Sequence, residues 1–134
     1  MSQSNYVQLN GVLVAGPGAA SCSLREIFPI SFCDVYAGLQ GAVESNLVST
    51  DSGSPGPFTL PMGTITKGRV LALRVLAGLT VKVFITTQLG VAVFNVSDQL
   101  LLRCRNPGDE FTLVQISTSA QAVDLGWLIS GDVS

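Results

Sequence analysis

From Arg69 to Val133 the chain reads as one strand-like run after another: LALRVLA, LTVKVFITT, GVAVFNV, QLLLRC, FTLVQIS and AVDLGWLIS. Short turn signals separate the runs, and apolar and polar positions alternate in several of them. That period of two is the mark of a strand with one buried face. Several short strands broken by Gly- and Pro-containing turns fold as a sandwich or a barrel. The expectation is an all-β chain: an antiparallel, jelly-roll-like β-sandwich of about eight short strands. It spans 1–134 as one domain.

The phase of each run follows from its alternation. Leu71, Leu73, Val75 and Ala77 share a face, opposite Val70, Ala72, Arg74 and Leu76. Val81, Val83 and Ile85 oppose Thr80, Lys82, Phe84 and Thr86, and Val91, Val93 and Asn95 oppose Ala92, Phe94 and Val96. Phe111, Leu113 and Gln115 are expected to face away from Thr112, Val114 and Ile116. Val123, Leu125, Trp127 and Ile129 make the cleanest alternation, with Trp127 as a core anchor. Gln88-Leu-Gly90 reads as a three-residue hairpin connection. Asn106-Pro-Gly-Asp109 reads as a type II turn, with Pro setting φ and Gly supplying a positive φ.

The N-terminal half is less regular. Tyr6 to Ala15 reads as an extended segment, within 1–15, ended by Gly16-Pro-Gly18: either the first strand of the chain's own sheet or an arm that joins a neighbour's. Ser23 and Glu26 have capping-box spacing and predict a short helix that Pro29 stops. Ile30 to Ala37 and Gly41 to Ser49 read as strands. Residues 49–57 (STDSGSPGP) read as a long surface loop, from which Phe58 and Leu60 lead back as a lid over one end of the core.

Apolar residues make up 47% of the chain and charged residues 12%, where about 25% charged is usual. Many strands are apolar on both faces, and a sandwich covers only one of them. The surplus face then calls for a partner. The candidate interface is Tyr6, Leu9, Val12, Val70, Ala72, Leu76, Phe84, Phe94 and Val96. The first three are included because a terminal strand is well placed to join a neighbour's sheet edge.

The chain has no histidine, which removes a Ser-His-Asp triad and the usual general base. Asp109, Glu110, Asp124 and Asp132 read as turn and solvent-facing carboxylates. No catalytic, cofactor or metal site is expected, and the chain is read as not an enzyme. Cys22, Cys33 and Cys104 have no CxxC spacing; they read as buried free thiols, a Cys22–Cys33 bridge being the alternative. The seven Lys and Arg residues form no run, so no nucleic-acid partner is expected. No apolar run reaches membrane-spanning length, so no membrane partner is expected either. The N-terminus does not pattern as a signal peptide, which points to synthesis in a cytoplasm.

Phe94-Asn-Val-Ser-Asp-Gln-Leu-Leu-Leu, Pro107-Gly-Asp-Glu-Phe-Thr-Leu-Val-Gln-Ile-Ser and Val123-Asp-Leu-Gly-Trp-Leu-Ile-Ser-Gly resemble small all-β virion proteins of tailed bacteriophages. The shared feature is a cadence of strand, Gly-Asp turn, strand, short loop and strand ending in Gly. The resemblance implies a structural role as a capsid decoration (cement) subunit or an accessory of the neck, tail or fibre. It implies localisation in the virion after synthesis in the host cytoplasm. The expected partners are further copies of the chain, a trimer before other symmetries, and virion proteins such as the major capsid protein. The alternative is a carbohydrate- or receptor-binding β-sandwich module.

Overall fold

The structure is a computed structural model that describes residues 4–15, 25–29, 31–49, 57–77 and 80–133, with the backbone alone at 12–15 and 25–29. The described residues form twelve strands. In chain order they are β1 (Asn5–Leu9), β2 (Val12–Ala15), β3 (Arg25–Pro29), β4 (Phe32–Tyr36), β5 (Gly38–Leu47), β6 (Phe58–Thr59), β7 (Ile65–Ala77), β8 (Val81–Thr87), β9 (Gly90–Val96), β10 (Gln99–Arg103), β11 (Phe111–Ser117) and β12 (Val123–Val133). The fold is all-β and antiparallel. Eight of the strands form one sheet, in the order β5-β12-β7-β11-β8-β9, with β10 also on β7 and β6 also on β11. The longest strands, β7 at 13 residues and β12 at 11, exceed the short strands expected from sequence.

The centre of the sheet is β7. One of its edges pairs with β12, and the other is divided between β10, along Val70 to Arg74, and β11, at Gly68. The division works because Gly68 has no side chain. A Cβ there would strike the ring of Phe111, the residue that pairs with it. From this corner the sheet continues as two wings, β10-β7-β12-β5 and β11-β8-β9.

One buried cluster draws on both wings. Leu71, Leu73, Leu125, Trp127 and Ile129 come from the first, and Val81, Val83, Ile85, Val114 and Ile116 from the second. Each such burial contributes about 1.5–3 kcal/mol. Phe111 also faces inward, although strict alternation puts it opposite Val114 and Ile116. The register slips between Phe111 and Leu113, and a bulge of this kind re-aims one side chain. Leu60 is fully buried and Phe58 packs against the cluster, as the lid expectation has it.

The turns are local chemistry. Gly108 has a φ of 93°, and the Asp109 N–H donates to the Asn106 carbonyl at 3.1 Å. Gln88-Leu89 is a two-residue turn instead of a three-residue one, since Gly90 already pairs with Thr87. Residues 50–56 of the expected loop lie outside the described residues. Its first residue is held: the Ser49 N–H donates to Thr118 Oγ1 at 2.9 Å, and the Thr118 N–H donates to Ser49 Oγ at 2.9 Å.

The N-terminal residues do not form a single extended arm within 1–15. They form one side of a two-stranded ribbon. β1 pairs with β4 from Asn5↔Tyr36 to Leu9↔Phe32, and β2 pairs with β3 from Val12↔Pro29 to Ala15↔Arg25. The Ser31 hydroxyl joins the two halves. It accepts from the Gly11 N–H at 2.9 Å and donates to the Gly11 carbonyl at 3.1 Å. Arg25–Pro29 is therefore strand, not the predicted helix. Pro29 leaves too few residues for a stable helix, whereas pairing with β2 gives the backbone partners at once. Ser23 and Cys22 lie outside the described residues.

Candidate functional site

The ribbon has two faces. Asn5, Val7, Leu9, Phe32, Asp34 and Tyr36 are half-buried, and the alternating Tyr6, Gln8, Cys33 and Val35 are exposed. The half-buried row lies on the outer face of the first wing. Its anchor is Arg103 of β10. The guanidinium donates from Nε to Asp34 Oδ2 at 2.6 Å and from the other nitrogen to Asp34 Oδ1 at 2.5 Å. It also sits 4.4 Å from the centre of the Phe32 ring. A forked pair of this kind fixes direction as well as distance. The Arg103 hydrogen bond holds the Asp34 carboxyl below its ordinary range, against the opposing effect of burial.

Arg103 stands opposite Val70, which stands opposite Ser130. All three share the outer face, and the ribbon covers them. Val70 is completely buried as a result. Below the covered face, Arg69 donates from Nε to Asp132 at 3.0 Å and lies 3.6 Å from Glu110. Backbone N–H groups of Glu110 itself and of Gly108 hold the Glu110 carboxyl below its usual range. Glu110 is thus a structural partner of the turn and of Arg69, and Asp132 a partner of Arg69. Asp124, likewise, accepts from the Asn46 N–H at 2.8 Å.

Beyond Arg103 the ribbon leaves an apolar groove of about 620 Å³ between itself and the sheet, lined by Leu9, Ala72, Arg74, Leu101, Gly126 and Leu128 among others. A smaller cleft of about 310 Å³ opens at the seam where Phe94 and Ile85 face Leu102 and Cys104.

The second wing has no such cover among the described residues. Its last strand is β9, which pairs only with β8. Leu89 is 92% exposed, Val91 59%, Val93 52% and Phe94 39%. Register puts Val93 beside Phe84 on the outer face, and Phe94 beside Val83 on the inner face. The apolar strip therefore turns around a sheet edge that no described strand covers.

The sequence-derived interface residues fall in several places. Tyr6 is exposed on the ribbon, Leu9 and Ala72 line the groove, and Leu76 is exposed on β7. The side chain of Val12 lies outside the described residues. Phe84 and Phe94 occupy opposite faces of the second wing. Val70 and Val96 are corrections: both are buried in this chain, Val70 beneath the ribbon and Val96 opposite Val81 at the core. Neither is a free surface. Leu89, Val91 and Val93 were missed because alternation assigns a face but not an edge. The available signal was a seven-residue strand without one charge.

Of the thiols, Cys104 is buried, as expected, and burial pushes its pKa up. Cys33 is exposed on the ribbon, because its position in β4 alternates with the residues that face the sheet. Among the described residues, no three His, Cys, Asp or Glu side chains are grouped to hold a metal ion. No family model, no curated protein and no solved structure matches this chain.

Proposed function

We propose that this protein is a non-enzymatic structural subunit that assembles on a tailed-phage virion, as a capsid decoration subunit or a neck or tail accessory. The observation that carries the reading is an apolar edge that no strand covers among the described residues: Leu89 in the turn and Val91 and Val93 on β9, a strand that lacks charge, are exposed. Single exposed apolar residues are ordinary on a monomer, but a contiguous strip at a sheet edge marks an interaction site. The strand cadence from Phe94 to Gly131 supplies the virion context.

On this reading the two wings and their shared core are an open β-sandwich of the jelly-roll type. The wings face one another across the core, and the seam beside Phe94 is its open side. The partners are further copies of the chain and the virion proteins beneath it, such as the major capsid protein. A carbohydrate- or receptor-binding module remains the second reading. It calls for exposed aromatic rings in one place, whereas Tyr6 and Phe94 stand on β1 and β9, which do not pair.

The test is quantitative mass spectrometry of virions purified from the source that encodes the chain. Presence at a fixed ratio to the major capsid protein is expected. Absence from the particles would overturn the reading.

A further inference from the structure

We propose that β9 is a self-association edge, on which two copies pair antiparallel about a two-fold axis near Val93. The inference rests on the assembly reading above and names its partner and its contact. β9 pairs with β8 in unbroken register from Thr87↔Gly90 to Val81↔Val96. Its other side meets no strand among the described residues. Gly90–Val96 contains no charge and no proline, and its pairing shows no bulge. Natural sheet edges are usually guarded by one of these devices, because a bare edge templates another strand.

Two other edges of the eight-stranded sheet are guarded. β5 carries Glu44, places Asn46 at a φ of 54°, and slips register against β12. β10 is five residues long and ends in Arg103. Only β9 among these edges is long, regular and bare.

A second copy fits this edge because the edge is complementary to itself, as a two-fold contact requires. Centring on Val93 sets Val93 against Val93, Ala92 against Phe94, and Val91 against Asn95. With the β8 register added, the outer row runs Phe84, Val93, Val93, Phe84 across the junction. On the inner face Phe94, exposed in one copy, meets Ala92 and then Ile85 of the other. Lys82 is the nearest cation. It lies in line with Asn95 of its own copy and with Val91 and Thr86 of the second, so the two lysines occupy different rows. A charged partner would find no counter-charge along the strip.

The test is sedimentation-equilibrium mass measurement on the full chain, Val93→Lys and Val43→Lys. Val43, on the guarded edge, is at least as exposed as Val93. The full chain and Val43→Lys are expected to be dimers that dissociate on dilution. Val93→Lys is expected to weaken the dimer at least about 100-fold, since like charges face each other at the axis. Near-ultraviolet circular dichroism of Trp127 checks the fold. If Val93→Lys does not fold, the double variant Val91→Thr with Val93→Thr keeps strand propensity and is expected to weaken the dimer about tenfold. A trimer, or an oligomer that survives these changes, would overturn β9 pairing while leaving the assembly reading in place. A chain that is monomeric at every concentration overturns the pairing too. Assembly itself then stands or falls with its presence in virions.

Discussion

The outer faces of the two wings look alike in sequence and are opposite in fate. On β10-β7-β12 the surplus apolar face is covered by the chain's own ribbon, which Arg103 and Asp34 fasten down. On β8-β9 the apolar strip ends at an edge that is bare among the described residues. The same pattern, apolar residues on both sides of a strand, is thus met in one wing by cover from within the chain, and in the other we propose cover from another copy. What separates them is the presence of one charge pair in reach. β10 offers Arg103 to a ribbon carboxylate, whereas β9 carries no charge.

The sharpest way to break this comparison is one substitution made in both regions. Val70→Asp puts a carboxylate beneath the ribbon, opposite an Arg103 that Asp34 already engages, where burying a second carboxylate costs about 3–5 kcal/mol. Val93→Asp, in dilute monomer, stays within about 0.5 kcal/mol of the parent. Urea unfolding followed by Trp127 fluorescence measures both. Equal losses would mean that Val70 is not covered as described.

A smaller effect is expected at the clamp. Arg103→Leu leaves Asp34 without its partner, and because the pair is partly exposed the cost is about 1 kcal/mol. The loss is local. Limited proteolysis should cut within the ribbon faster, while the unfolding midpoint of the sheet moves little. If cleavage is unchanged, the ribbon is held by something other than Arg103.

The smallest effect is on acid titration. The Asp34 pKa is depressed in the folded chain, so its contribution is fully present above the unfolded value of about 3.9. It is lost as pH falls through the lower, folded value. Ribbon protection should therefore be flat from neutral pH to about 5 and decline only below about 4. Arg103→Leu should remove that acid-dependent step.

Much of the sheet was legible in sequence because alternation reports burial directly. Val123, Leu125, Trp127 and Ile129 face the core as their spacing requires, and Asn106-Pro-Gly-Asp109 turns where Pro and Gly place it. Phe111 was misassigned because a one-residue register slip reverses a face, and slips leave no mark in composition. Arg25–Pro29 was misread because a four-residue capping signal is weaker than a pairing partner along the whole segment. The candidate site was half legible. Surplus apolar surface could be counted, but which part of it the chain covers depends on Asp34 meeting Arg103 across the fold. No local pattern records a contact between residues so far apart.

The most direct measurement is hydrogen exchange of the unmodified chain at two concentrations well above and well below dimer dissociation. The central claim predicts that amides of β1 and β4, covered within one chain, are equally protected at both. The β9 amides that donate to β8 should be protected at both, and those that point away from β8 should be protected only at the higher one. Protection of these outward β9 amides that does not change with concentration, or protection of β1 and β4 that does, would contradict it.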